Sequence, residues 1–435
     1  MKEITVIVLA AGKGKRMRSS VPKVLHQLMG KPLIYYVLKE LLALKSIKQI
    51  IIVVGYKGNL VEKTIKNLFP EQNRLNSRLK IEFVYQTKIS GTGSAVKSAS
   101  KKVGKSKVLV LCGDAPLLTS QTISGFISDS LRKKSSCNIL TAKLKEENAP
   151  GVIVRNPRGK VRAILEKAGL SALAKSEIKG KCEYQEANSG IYLFNRSDLL
   201  KNLSKIKKNP RSGEYFLTDI IEIIYKQSKS IGSYSIKQAN QIRGINTQLD
   251  LQEASKIMRT RVLNRLIGSG VNIIDPETTY IWPEVKIGKN TTIYPFTFIE
   301  DGVIIGSRCR LGPFIHIRGQ SQIADGSYLG NFLEINRSKV GKGVKIKHFG
   351  YIGDAKVGDS ANIGAGVVVA NYDGKTKNKT NIDKGAFLGS DTILVAPVKI
   401  GKKAVTGAGS VVTKDVKAKT TVAGVPARLL KKRKV

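Results

Sequence analysis

Ile4-Thr5-Val6-Ile7-Val8-Leu9-Ala10-Ala11-Gly12-Lys13-Gly14-Lys15-Arg16-Met17 is the stretch on which the first half of the chain turns. Ile4 to Val8 is a continuous apolar run, the pattern of a short strand buried on both faces. It leads into a small-residue turn with two glycines, which leaves backbone N–H groups bare. Lys13, Lys15 and Arg16 add positive charge at the same place. Bare amides and cations together suit a polyphosphate. The turn is neither of the two common phosphate loops. The G-x-x-x-x-G-K-[ST] spacing is absent, and Met17 stands where G-x-G-x-x-G needs its third glycine.

Outward from this turn, helical and strand patterns alternate. Leu33 to Leu44 has helical apolar spacing, with Pro32 at a position suited to a helix start. Gln49 to Gly55 reads as a buried strand, Leu60 to Leu68 as a helix and Ile81 to Tyr85 as a strand. Val96 to Val103 reads as a helix and Lys107 to Cys112 as a strand. This order predicts a mostly parallel sheet with helices on both faces, an α/β Rossmann-like domain. Ligands bind such sheets at the carboxyl ends of the strands. The loops beginning at Leu9, Gln86 and Gly113 all lie at those ends, so they can converge. Ile220 to Lys226 predicts a helix, Ile231 to Ile236 a strand, and Gln248 to Ile267 a helix stopped by Gly268 and Gly270.

The second half has a different period. An aliphatic residue returns every six positions through Ile287, Ile293, Ile299, Ile305, Leu311, Ile317, Ile323, Leu329 and Ile335. After a one-residue slip it resumes at Val340, Ile346 and Ile352. After another it continues at Val357, Ile363 and Val369, and beyond a loop at Ile382, Leu388, Leu394, Ile400, Thr406 and Val412. Six fits neither helix nor simple strand. It fits a parallel β-helix in which each hexad forms one side of a triangular coil and points its aliphatic residue inward. The expected division is therefore 1–227 for the first domain, 228–268 for a linker and connecting helix, and 269–435 for the β-helix.

Composition bounds the function. The 435 residues suffice for two or three domains, and 41% hydrophobic content is ordinary. No apolar run reaches the roughly 20 residues of a membrane span, and no signal-peptide pattern opens the chain. Cys112, Cys137, Cys182 and Cys309 form no C-x-x-C pair, which fits reduced thiols and a cytoplasmic location. The net charge of +43 raises nucleic-acid binding. The Lys and Arg residues are spread along the whole chain, however, and the one dense run is the tail Lys431-Lys432-Arg433-Lys434. Neither nucleic acid nor membrane is expected as a partner.

The string L-A-A-G-x-G-x-R-M with Pro22-Lys23 resembles the signature of the sugar-1-phosphate nucleotidyltransferases. Later segments follow that family in order. Gln86 with Gly91-Thr92 resembles its base-reading segment, which selects uracil in uridylyltransferases. Gly113-Asp114-Ala115-Pro116-Leu117 resembles its metal-bearing G-D-x-P-L. Gly151, Glu166 and Asn188 match its sugar-binding set, and Asn246 its second metal ligand. The resemblance thus implies that Leu9, Ala10, Ala11, Gly12, Arg16, Lys23, Gln86, Gly91, Thr92, Gly151, Glu166, Asn188 and Asn246 bind UTP and the UDP-sugar. It also implies that Asp114 and Asn246 hold Mg²⁺. The residue types suit the chemistry. A sugar phosphate attacks a nucleoside triphosphate, both are anions, and cations offset their repulsion. Mg²⁺ takes oxygen ligands; Arg16 suits paired phosphate contacts, and Lys23 acts as a point charge at the α-phosphate.

In the repeat, His348 within Lys345-Ile346-Lys347-His348-Phe349-Gly350-Tyr351, Asn371-Tyr372-Asp373-Gly374, and Gly389-Ser390-Asp391 resemble an acetyltransferase. Together the two halves resemble the bifunctional N-acetylglucosamine-1-phosphate uridylyltransferase/glucosamine-1-phosphate acetyltransferase family. That resemblance implies a left-handed coil, a homotrimer with sites between neighbouring coils, and supply of UDP-N-acetylglucosamine for cell wall and lipopolysaccharide. Glucosamine-1-phosphate is acetylated by acetyl-CoA, and the resulting N-acetylglucosamine-1-phosphate reacts with UTP, releasing pyrophosphate. His348 is the implied catalytic base, a role suited to histidine near neutral pH. Arg318, Tyr351, Asn362 and Lys377 are the implied sugar-phosphate ligands. Ala365, Asn371, Tyr372, Ser390 and Ala408 are the implied acetyl-CoA contacts, with Asn371 and Tyr372 between sugar and cofactor. His26, His316 and Cys309 are expected to be structural.

Two positions depart from the family. A phosphate-binding lysine falls on Asn336, where the adjacent Arg337 is a candidate replacement. A cofactor-side arginine falls on or near Gly424, where Arg428 or the tail is the candidate. Two other assignments compete with the bifunctional one. One is a single-activity nucleotidyltransferase propped by the solenoid; Gln86 and the pair His348 and Asn371-Tyr372 argue against it. The other is a nucleic-acid-binding scaffold resting on the charge alone.

Overall fold

The computed structural model describes residues 3–73, 79–104, 106–145, 151–166 and 184–430. Cys182 and the basic tail fall outside them. The chain divides into two compact units, Met1–Ala254 and Ser255–Val435. Among the described residues, no helix is long and apolar enough to cross a membrane.

The first unit is built on one mixed sheet. Its strands are β1 (Ile4–Ala10), β4 (Ile47–Val54), β5 (Lys80–Tyr85), β6 (Lys107–Cys112), β7 (Cys137–Lys145), β8 (Gly151–Arg155), β9 (Val161–Glu166), β10 (Tyr184–Phe194) and β11 (Ile231–Ile236). A short hairpin of β2 (Gln27–Leu28) and β3 (Lys31–Pro32) stands apart. The order across the sheet is β11-β7-β10-β6-β1-β4-β5, and β8 and β9 form an antiparallel flap from β10. The parallel core β6-β1-β4-β5 runs in register, with Leu9 opposite Cys112 and Val53. β1 and the carboxyl-side parts of β4 and β6 are apolar because both faces are covered, and Ile4, Val6, Ile7 and Val8 are fully buried, whereas the edge strand β5 is only partly buried. The three loops singled out by sequence therefore leave neighbouring strands at the same edge. β10 runs antiparallel to both β6 and β7 and so interrupts the parallel pattern. β11 pairs in register with β7, which makes 231–236 an edge strand of this sheet.

The helices are α1 (Leu33–Leu42), α2 (Gly58–Leu68), α3 (Thr92–Ala99), α4 (Ser120–Arg132), α5 (Arg196–Leu203), α6 (Asp219–Lys226) and α7 (Gln248–Gly268). α3 starts at Thr92, four residues ahead of the apolar pattern. Gly91 initiates the turn and brings the Gly91-Thr92 step to the sheet edge.

The second unit is a parallel β-helix with three faces. Face I runs from Asn272–Ile273 through Lys345–Ile346 and Asn362–Ile363 to Thr421–Ala423. Face II includes Ile315–Arg318, Leu333–Asn336, Gly350–Gly353, Val367–Ala370 and Ile393–Val395. Face III runs from Lys286–Ile287 to Val398–Ile400. The hexad residues fill the interior: Ile293, Ile299, Leu311, Ile317, Leu329, Ile335, Ile352, Val369, Leu388, Leu394 and Ile400 are fully buried in one continuous column. Burial of each contributes roughly 1.5–3 kcal/mol. Polar side chains that turn inward find carbonyls. Ser327 Oγ, for example, donates to Ala324 O and Gly341 O at 3.0 and 2.9 Å.

Candidate active sites

In the first unit the opening turn folds back on the segment after Pro22. Gly14 is left-handed (φ 68°), and a Cβ there would stand 2.7 Å from Lys23 Cβ. That close approach seats Lys23 beside the turn. Lys23 Nζ pairs with Asp114 and donates to Asn246 Oδ1 at 2.6 Å. Arg16 Nη2 donates to the same Asn246 oxygen at 2.9 Å. Four residues from three separate segments thus meet. Asp114 is tied to the last segment by its carbonyl, which accepts from Ile245 N at 2.9 Å. Asn246 precedes α7, whose first turn is closed by a capping box. Asp250 Oδ2 accepts from Asn246 N and Thr247 N, and Asp250 N donates back to Thr247 Oγ1.

Two clefts share this floor. One is lined by Leu9, Ala10, Ala11, Gly12, Lys23, Gln86, Gly91 and Thr92. Gln86 is anchored by its backbone N–H to Val54 O at 2.8 Å. Gly91 (φ 100°) lies so close to Tyr215 that a Cβ would stand 2.5 Å from the Tyr215 carbonyl oxygen. The other cleft is lined by Leu9, Thr92, Asp114, Glu166, Asn188 and Asn246. Gly151 lies opposite Glu166 on the β8–β9 flap. Burial pushes the Glu166 carboxyl up, and the nearby Asp219 charge adds to this. Asn188 is buried; its amide donates to Tyr192 OH at 2.8 Å, and its oxygen accepts from Gly190 N.

In the second unit the implied residues form two columns. At the corner between faces I and II, successive coils stack through Gly366 N to Phe349 O (2.8 Å), Asp391 N to Ala365 O (2.7 Å) and Gly409 N to Ser390 O (2.8 Å). His348, Ala365, Ser390 and Ala408 line that corner. His348 is exposed and has no hydrogen-bond partner among the described residues. At the corner between faces II and III lie Arg318, Asn336, Arg337, Asp354 and the loop 371–379. Arg318 donates from Nε (2.8 Å) and Nη2 (2.6 Å) to Glu334 Oε1. Tyr351 stands next to Glu334 on face II. The two corners are separated by the length of a face II strand, roughly 10 Å. Asn362 sits on face I. The chain by itself therefore does not gather the implied acetyl-transfer residues into one pocket.

Arg337 is already engaged. Nε and Nη2 both donate to the Asp354 carboxylate at 2.7 Å, and Nη1 donates to Asn336 Oδ1 at 3.0 Å. The guanidinium is thus committed to neighbouring side chains, although Arg337 itself is exposed. His316 Nε2 lies 2.9 Å from Glu300 Oε1. His26 is buried beneath the Lys23 segment, and burial lowers its pKa. Cys112, Cys137 and Cys309 are free.

Residues 5–241 match the nucleotidyl transferase family. Residues 284–314 match the bacterial transferase hexapeptide (six repeats), and residues 379–414 the hexapeptide repeat of succinyl-transferase. The bifunctional protein GlmU of Acetivibrio thermocellus is 38% identical, across 96% of this chain and 94% of that one. Its counterpart from Carboxydothermus hydrogenoformans is 37% identical, across 94% and 95%. The chain belongs to the bifunctional GlmU family. With membership the two-part order is settled: an α/β nucleotidyltransferase unit, then a left-handed β-helix of hexapeptide repeats.

Motif reading missed part of the cleft walls. Glu214 and Phe216 line the cleft with Gln86, and Tyr192, Leu217 and Thr218 line the one with Glu166. They come from β10 and the segment before α6. Cys112 lines both clefts, and it could have been found as the last residue of β6, one step before Gly113-Asp114.

Proposed function

We propose that the first unit joins UTP to N-acetylglucosamine-1-phosphate and that the second acetylates glucosamine-1-phosphate from acetyl-CoA. The observation that carries the first assignment is the meeting of Arg16, Lys23, Asp114 and Asn246 where the two clefts join. In this reading the cleft with Gln86, Gly91 and Thr92 takes the uridine, and the cleft with Glu166 and Asn188 takes the sugar. The shared floor then receives the phosphates. Arg16 and Lys23 lie on the anion path and stabilise the charge gathering on the α-phosphate. The attacking sugar phosphate is already ionised, so no protein base is required.

Asp114 and Asn246 fit a hard cation. One carboxylate and one amide oxygen converge on a single positive nitrogen, Lys23 Nζ, which stands in for the ion. These two residues would hold Mg²⁺, and the remaining positions would go to phosphates and water. When bound, the ion neutralises phosphate charge. With the ion held there, Lys23 would be the point charge facing the α-phosphate.

In the second unit His348 takes a proton from the substrate ammonium. The freed amine attacks the thioester carbonyl, a C–N bond forms, the C–S bond breaks, and the second proton shed by the nitrogen goes to sulfur, so that coenzyme A leaves as the thiol. The two columns of implied residues stand on different corners of one chain. This supports a trimer in which the His348 corner of one copy faces the Arg318 corner of the next.

Omitting glucosamine-1-phosphate, acetyl-CoA and UTP in turn tests both assignments. Asp114→Ala abolishes uridylyl transfer and leaves acetyl transfer, and His348→Ala does the reverse. Full acetyl transfer by His348→Ala would overturn the assignment of the second site.

A further inference from the structure

The hexad repeat slips by one residue twice, between Ile335 and Val340 and between Ile352 and Val357. Both slips fall at the same corner, between faces II and III, in consecutive coils. Each shortened corner turns through one left-handed residue, Arg337 (φ 49°) and Asp354 (φ 50°). At neighbouring corners of the regular repeat, this conformation falls on Gly302 or on Gly319 with Gln320. The slips therefore place a cation and an anion one coil apart on the same edge, and their side chains form a two-toothed ion pair.

The pair also touches a third element. The loop 371–379 leaves the end of Val367–Ala370 and returns at Thr380–Ile382, one coil beyond Asp354. Asp354 holds both ends of it. The Asn371 amide donates to the Asp354 carboxylate, and Thr380 N donates to Asp354 O at 3.2 Å. Asn371 is buried, whereas its neighbour Tyr372 is exposed. Within the loop, Asn378 N donates to Asn371 O at 2.7 Å, and Asp373 accepts from Lys375 N, Thr376 N and Asn378 Nδ2. The loop is thus a compact unit tied to the coil through one residue, at its start by the Asp354 carboxylate and at its end by the Asp354 carbonyl.

We propose that Asp354, clamped by Arg337, is a positioning residue for acetyl transfer: it fixes the Asn371 side chain and with it the loop that carries Tyr372 and Lys377. The proposal rests on the acetyl-transfer assignment above. It also changes the role of Arg337. Its guanidinium is the clamp on Asp354, which leaves Lys377 and Arg318, the latter paired with Glu334, for the phosphate of the sugar. Lys377 lies near enough to Asp354 that its charge helps hold the carboxyl below the usual range, after the larger effect of Arg337.

Asp354→Asn is the informative change, because asparagine is at ease in the left-handed conformation and nearly isosteric. It removes the charge that Arg337 grips. Acetyl-transfer kcat falls by roughly ten- to a hundredfold, as for small misplacement of a reacting group. Uridylyl transfer by the same protein is unchanged. Trypsin cleaves the variant faster after Lys375, Lys377 and Lys379, which reports release of the loop without reference to activity. Arg337→Lys, which keeps charge but loses the fork, falls between variant and wild type in both measurements. Wild-type kcat and wild-type loop cleavage in Asp354→Asn would overturn the proposal, as would faster cleavage with no loss of kcat. His348→Ala in the same assay separates the two levels of inference. If it too keeps full rate, the site assignment fails; if it is dead while Asp354→Asn is fully active, only the clamp fails.

Discussion

Asp250 lies outside both clefts, yet its removal should change the metal dependence of uridylyl transfer. Asp250 Oδ2 accepts from Asn246 N at 2.9 Å and Thr247 N at 2.8 Å, and Asp250 N donates to Thr247 Oγ1 at 3.1 Å. Asp250→Ala leaves two helix-start N–H groups without their acceptor, a loss of about 1 kcal/mol. Asn246 is the residue directly before the cap, and its Oδ1 is one of the two oxygens assigned to Mg²⁺. A loss of that size lowers the ratio of seated to displaced Asn246 by roughly fivefold. The Mg²⁺ concentration for half-maximal uridylyl transfer rises by up to about that factor, while the saturated rate changes less. Asp250→Glu, which completes the commoner form of the box, stays near wild type. Partial burial opposes ionisation of Asp250, but the hydrogen bonds from Asn246 and Thr247 and the Arg243 charge outweigh it and hold the carboxyl below its usual range. A lowered carboxylate pKa contributes stability above the usual value, near about 4, and this is lost only as pH falls through the lowered folded value. The variant's deficit is therefore constant between about pH 6 and 9. The assay is pyrophosphate release against Mg²⁺ concentration. Wild-type Mg²⁺ dependence in Asp250→Ala would refute the link between cap and ligand.

Gly91→Ala meets both a left-handed backbone and the Tyr215 carbonyl at 2.5 Å, so it costs more than about 1 kcal/mol locally; KM for UTP rises in a uridylyl-transfer assay while acetyl transfer is unaffected. Burial and the Asp114 charge push the Cys112 thiol up to about 12, so peptide mapping after iodoacetamide treatment at about pH 8 finds Cys112 unmodified; stoichiometric labelling there would contradict that environment.

The parallel core of the first unit was legible because strands buried on both faces are written as apolar runs; Lys107 to Cys112 matches the observed strand end for end. β10 was not legible. Its interior, from Glu186 to Gly190, is polar and small, and it bends between Asn188 and Tyr192, where the register with β7 shifts. Asn188 could be found by its motif but not its hydrogen bond to Tyr192, which depends on that irregular stretch. Asp114 and Asn246 were found as separate motifs. What brings them together, the Asp114 carbonyl accepting from Ile245 N, is a backbone contact and leaves no side-chain signature.

The second unit reverses this relation between pattern and site. Its regular hexads specify the interior so completely that they carry no chemical information, since any aliphatic residue serves. Function enters at the corners, and most visibly where the repeat fails. The two slips and the loop after Ala370 are the places where one coil no longer repeats the last, and they hold Arg337, Asp354 and Asn371 in mutual contact. Left-handed residues also stand at regular corners, among them Phe296, Arg308, Phe314, Phe332 and Lys403. The slipped corners are set apart by what their residues do: Arg337 and Asp354 form a pair that anchors a loop.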